Sequence, residues 1–423
     1  MASRPYQHSV QSLAIAEGSS GPNGTFPTGL FSRVLLTLGL LLVFRLGCSI
    51  PIPSLHPDAI ASLFPAEDTA GTFSTPSATL PYQWTSIFGL GLAPYFLAML
   101  IVRVTQVFAP GRSNEARGDD GRSIRVLTLL LAALMALAYD PSLMLKVSPD
   151  VPFSITTVVS LTAGAMLLMW LGEQITRRGI GYGPALIVAI GFIVDLPFVV
   201  FGILEMRRQG VIESTSLLLM GLLPAIIAMV VFFERARRRI LVVNPGHAGG
   251  RDDGIGLRIN QAGILPPLVS NTALFFVSGV VPVFASDGAR QFDGLYDVGL
   301  ALDPSQPLGL VTQAAVIAIV TVLFRRALFN PQNEAGKLDK AGAFIPGIRP
   351  GAATVRYIAS VQNRLTAIGA GYLIVVCLAP MFVVSAYGAW IYNVIVGLVI
   401  AAITLVDLID RLTGSRSQER HSV

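Results

Sequence analysis

Residues 154–178 read SITTVVSLTAGAMLLMWLGEQITRR, and no charged side chain interrupts the run from Ser154 to Gly172. A helix needs about 20 such residues to cross a hydrocarbon core about 30 Å thick. This stretch is written for lipid. The arginines that close it, Arg177 and Arg178, mark the end that stays in the cytoplasm, because cations are retained on that side during insertion.

Runs of the same kind cover residues 30–50, 86–105, 124–140, 182–204, 215–234, 262–285, 308–329, 365–384 and 388–408, which makes ten in all. Composition agrees: 53% of the 423 residues are hydrophobic and 13% charged, too little charge to keep a soluble surface of this size in solution. The expected fold is an all-α polytopic membrane protein with ten transmembrane helices.

The loops between the runs alternate in charge. One set carries Arg4 and Arg33, five arginines from Arg103 to Arg125, Arg177 and Arg178, six arginines from Arg235 to Arg258, seven Lys or Arg from Arg325 to Arg364, and Arg411, Arg416 and Arg420. The other set has only Lys146, Arg207, Arg208 and Arg290. Both termini are therefore expected in the cytoplasm. The net charge of +5 follows from this topology, and ribosomal RNA is a candidate partner for the long cationic loops. Cys48 and Cys377 fall inside spans and report nothing about redox compartment. Residues 1–29 form a polar tail without the features of a cleaved secretory signal, so the first span is expected to stay.

Five spans precede the polar stretch from Glu205 to Ser214 and five follow it. An odd number per half inverts one half relative to the other, so residues 30–209 and 210–412 read as two inverted five-helix halves, with 413–423 as a cytoplasmic tail. Two cytoplasmic loops belong to the second half, 235–258 and 325–364. The outer loop, about 51–85, has no Lys or Arg and carries an apolar patch from Ile60 to Phe64; it reads equally as a segment folded back into the protein or as a solvated loop.

Absences narrow the function. There is no GxxxxGK[ST] phosphate loop, and His8, His56, His247 and His421 all lie in loops or tails without metal-ligand spacing. No cofactor is expected, the chain does not read as an enzyme, and its energy must come from outside. A secondary transporter for a small solute usually places ionisable groups near the bilayer midplane, whereas Arg45, Asp195 and Asp407 lie toward span ends. Gly89, Gly91, Pro94, Gly181, Gly183, Pro184, Gly263, Pro266 and Pro267 allow kinked helices around a central space. A pore lined by such helices is apolar, a poor ion path that can close around a greasy and variable object. FIPGIRPG, residues 344–351, holds Arg349 at the tip of a stiff turn. It reads as a docking surface for a cytoplasmic protein, with a plain positive-inside anchor as the alternative.

These residues also carry a resemblance. RLGCSIPIP from Arg45, SIFGLGLAPY from Ser86, MWLGEQITRRGIGYG from Met169, FFERARRRI from Phe232, INQAGILPP from Ile259, and FNPQNEAGKLDKAGAF, FIPGIRPG and NRLTAIGAGYL from Phe329 onward resemble, in order, segments of the SecY family, the central channel subunit of the protein translocase. The resemblance implies two halves clamped around an hourglass pore that passes unfolded secretory chains and releases apolar segments sideways between the second and seventh helices. It implies a pore ring at Leu92, Phe96, Pro184, Val188, Leu268 and Ile400, and polar lateral-gate positions at Asn260 and Gln261, for which satisfied interface amides are the alternative.

The implied partners are SecE-like and SecG-like subunits, signal peptides, nascent polypeptides, membrane lipid, and the SecA motor ATPase or the ribosome. The drivers would dock at Arg238 and Arg239 and at Arg349, Pro350 and Gly351. The implied location is the cell inner membrane. Several features depart from the family: GTFSTPSATLPYQW stands where the plug element is usual, Tyr182 replaces the usual Asn, Phe96 and Pro184 replace smaller or more flexible aliphatics, and the first large cytoplasmic loop is short and Gly-rich. A divergent or accessory paralogue, or a scaffold of the same descent without channel activity, would carry such changes.

Overall fold

The structure, a computed structural model, describes residues 30–52, 86–108, 120–137, 155–208, 215–240, 242, 255–260, 263–277, 301–302, 306–328, 330–340, 342–384, 397–410 and 412. The helices are α1 (Leu30–Gly47), α2 (Ala93–Phe108), α3 (Asp120–Leu137), α4 (Ile155–Arg178), α5 (Gly183–Arg208), α6 (Thr215–Arg235), α7 (Leu265–Phe275), α8 (Pro307–Leu328), α9 (Pro331–Lys340), α10 (Ala352–Val384) and α11 (residues 397–410). Ten of them fall on the ten expected spans. The eleventh, α9, is a short polar helix in the second cytoplasmic loop. One antiparallel hairpin, β1 (Arg237–Ile240) with β2 (Ile255–Arg258), departs from the all-α pattern, pairing Arg237 with Arg258 and Ile240 with Ile255. Most of the outer loop, about 51–85, lies outside the described residues. Only its ends are placed, joined by a bridge between Pro51 and Ser86.

Among the described residues, four stretches, Leu30–Gly47, Ile155–Arg178, Pro307–Lys340 and Ala352–Leu378, are long and apolar enough to cross a membrane by length and composition alone. Their outer faces show what solvent they meet. On α1, Phe31, Leu35, Leu38, Leu42 and Leu46 are all exposed at helical spacing. A water-facing helix would place charges there, so the stripe is a lipid face. Inside, buried threonines answer the lack of water by donating to carbonyls one turn back: Thr128 to Ile124, Thr272 to Leu268, Thr321 to Ile317, Thr366 to Gln362 and Thr404 to Ile400. Each hydroxyl is thus satisfied within its own helix.

The core lies where helices from both halves meet. α2 packs on α3, α7 and α8; α4 packs on α1, α3 and α5; α10 packs on α6, α8 and α9. One apolar cluster takes Phe96, Leu171, Val230, Leu268, Phe324, Val376 and Ile400 from seven different helices. A smaller cluster lies outside it, on the cytoplasmic side of the expected topology. There Ile240 of β1, Ala335 and Leu338 of α9, Ala343 and Ile345 before α10, and Ile358, Val361 and Leu365 of α10 are buried together.

α10 begins at Ala352, well before the span expected from residue 365. Its first turns alternate rather than run apolar: Thr354, Ile358, Val361 and Leu365 are buried while Arg356, Asn363 and Arg364 are exposed. Uniform hydropathy marks the lipid-crossing part only. The amphipathic extension is seen by period, and it seats α10 on the cytoplasmic cluster.

Candidate functional site

The expected ring begins at the entry to α2. Ser86 to Leu92 fold as consecutive tight turns, with Gly89 N–H donating to Ser86 O at 2.8 Å and Gly91 N–H to Phe88 O at 2.7 Å. Gly91 has φ +56°, a conformation that costs other L-residues about 1–2 kcal/mol. The chain turns there and starts the helix, and Phe96 N–H bonds Leu92 O at 3.1 Å. Leu92 and Phe96, four apart, therefore share a helix face, and both are buried.

The entry to α5 is fixed by two threonines. Thr176 Oγ accepts the Gly183 N–H at 2.9 Å and donates to Gly172 O at 2.8 Å; Thr37 of α1 accepts the Ile180 N–H at 3.0 Å and donates to Arg33 O at 2.8 Å. A Cβ on Gly183 would run into the Gly172 carbonyl, so α5 meets α4 at backbone contact only because that position is glycine. This seats Pro184 against Gly172 of α4. One turn on, Val188 is half-buried and packs on the central cluster. Tyr182 brings its hydroxyl 3.4 Å from that of Tyr95 on α2.

Leu268 of α7 and Ile400 of α11 are buried in the same cluster as Leu92 and Phe96. Four of the six expected ring positions thus share one apolar cluster, Val188 packs on it, and Pro184 faces the α4 contact. Such a cluster offers no hydrogen bond to a passing group.

Asn260 is buried and bonded on both sides of its amide, to Glu234 and to Gly263, while Gln261 lies outside the described residues. The backbone of Arg238 and Arg239 lies in β1. In the second loop, Ile345 to Ile348 close a turn, with Ile348 N–H on Ile345 O at 3.1 Å, Pro346 at the position that wants φ near −65° and Gly347 at φ +81°. Arg349, Pro350 and Gly351 follow, all exposed, and Thr354 Oγ donates to Arg349 O at 3.1 Å to fix the tip on α10. Ile240 of β1 and Ile345 share the cytoplasmic cluster, so the two cationic loops stand on one base.

The SecY family profile matches residues 86–409. The chain belongs to the SecY family. It is 36% identical over 406 residues to the protein translocase subunit SecY of Vibrio cholerae, covering 90% of this chain and 91% of the relative. The same subunit of Escherichia coli K12 is 34% identical over 404 residues, covering 90% of each.

Solved structures share the SecY fold at low identity. A SecY structure concerned with its plug domain and closed state matches with TM-score 0.71 at 15% identity, over 97% of this chain and 98% of the other. A protein-conducting channel matches at TM-score 0.67 and 13% identity, again over 97% and 98%. Sec61 from a canine ribosome–channel complex gives TM-score 0.62 at 14% identity over the same shares.

Sequence reasoning missed Thr37, Thr176, Tyr95 and Glu234. Only Glu234 gave a signal in advance, as an acidic residue heading the cationic run from Arg235 to Arg239.

Proposed function

We propose that this chain is the protein-conducting subunit of a translocase in the cell inner membrane, passing unfolded secretory polypeptides through its waist and releasing apolar segments into lipid between α2 and α7. The observation that carries the proposal is the shared burial, in a SecY-family chain, of Leu92, Phe96, Leu268 and Ile400 from helices of both halves. A signal sequence that leaves water for a lipid-facing cleft gains about 25 cal/mol per Å² of apolar surface. A seam between two helices therefore selects it by partition alone.

SecE-like and SecG-like subunits complete the complex in this reading. SecA or a ribosome supplies the drive through Arg238, Arg239 and the Arg349 tip. Ribosome contact is supported by the solved relatives described in a canine ribosome–channel complex and, for a yeast Ssh1 complex, bound to the 80S ribosome. Both termini lie in the cytoplasm.

The test is a photoreactive group at position 92 or 268 with a nascent chain stalled in transit. Crosslinks to the chain are expected at both. Absence of both, while a group near Arg349 still crosslinks a driver, overturns the channel reading.

A further inference from the structure

Glu234 ends α6 with only 5% of its surface exposed, and its Oε1 accepts a hydrogen bond from Asn260 Nδ2 at 2.6 Å. Asn260, 3% exposed, uses the same nitrogen to donate to Gly263 O at 3.0 Å, and its Oδ1 accepts the Gly263 N–H at 3.0 Å. Gly263 sits at φ +61°, which closes this small ring just before α7 begins. The third side is α10: a Cβ on Gly369 would stand 3.0 Å from the Ile259 carbonyl, and Tyr372 stacks on Phe233 with ring centroids 4.6 Å apart.

This junction is the only covalent route by which the hairpin enters α7. Ile259 N–H bonds Ala236 O at 3.3 Å, extending the β1–β2 pairing to the residue before Asn260. Leu268, one turn into α7, belongs to the central cluster. A buried amide bonded to a carboxylate in a low-dielectric setting is costly to separate, so displacement of the hairpin is either transmitted to α7 or breaks this bond.

We propose that Glu234 and Asn260 are positioning residues that hold α7 in its seat against α2. This rests on the channel reading above. The pair touches no translocating chain; it sets where the gate helix starts.

The test uses the full complex in proteoliposomes and reads the resting ion leak without a driver, together with transport of a precursor whose signal has a shortened apolar core. Asn260→Asp keeps the volume and sets a second carboxylate against Glu234. We expect a rise in leak of at least about tenfold, the order of one or more lost buried hydrogen bonds, because the substitution removes both donations of Asn260 Nδ2, to Glu234 and to Gly263 O, and passage of the weakened precursor, at normal membrane accumulation. Glu234→Gln keeps an acceptor for Asn260 and stays near the parent. The double variant Glu234→Gln with Asn260→Asp restores the link to residue 234 with reversed polarity, Gln Nε2 donating to the Asp carboxylate, but not the donation to Gly263 O, and brings the leak part of the way back toward the parent.

Parent-like leak in Asn260→Asp at normal accumulation overturns the inference. So does a loss of accumulation that tracks every functional change, because that is structural support alone. A parent complex that passes no precursor sinks the channel reading instead.

Discussion

At the scale of single residues, the central apolar cluster depends on groups outside it. Gly183 lets α5 reach α4, and Thr176 caps the turn that delivers it. Gly183→Ala forces a methyl onto the Gly172 carbonyl and is expected to cost about 1–3 kcal/mol, read as a lower unfolding midpoint of the purified complex. Thr176→Val leaves the Gly183 N–H without its acceptor, a loss of similar size, about 1–3 kcal/mol. An unchanged midpoint in both removes the two-threonine account of the α5 entry. The sequence made the glycines visible as a class, but which one meets a carbonyl depends on how α4 and α5 cross, and neither helix encodes that alone. Asn260 was legible as a polar residue at the head of a span. Its partner was not, because Glu234 lies 26 residues earlier in the chain and only the hairpin fold brings the two together.

At the scale of elements, the two long cationic loops share one buried base. Hydropathy finds the lipid-crossing part of α10 and stops near residue 365, because the helix below it faces water on one side and the cytoplasmic cluster on the other. The FIPGIRPG turn was readable because Pro and Gly fix backbone angles locally, whereas the seat under it required Ile240 from a distant segment. The expected result for Arg349→Glu is a fall of at least about tenfold in driver-dependent translocation, with normal amounts of protein in the membrane, the scale of a lost interface anchor. Near-normal export refutes docking at this tip. Gly347→Val tests the turn rather than the charge. Holding valine at φ +81° costs about 1–2 kcal/mol, and the same export defect is expected with Arg349 intact.

At the scale of the whole molecule, ten apolar runs and alternating loop charge fixed the class, and the family match over residues 86–409 agrees with it. Function as the main translocon is a separate matter, because the segment from Gly71 to Trp84 departs from the family's plug element. Expression of this chain in cells depleted of their own SecY is expected to restore export and growth; a scaffold of the same fold restores neither. The 33 residues of α10 carry one further consequence. At about 1.5 Å per residue the rod is about 50 Å long, against a hydrocarbon thickness of about 30 Å. Roughly 20 Å of the rod therefore has no acyl chains beside it. Arg349, exposed on the turn that leads into this rod, is held by the overhang rather than by the span.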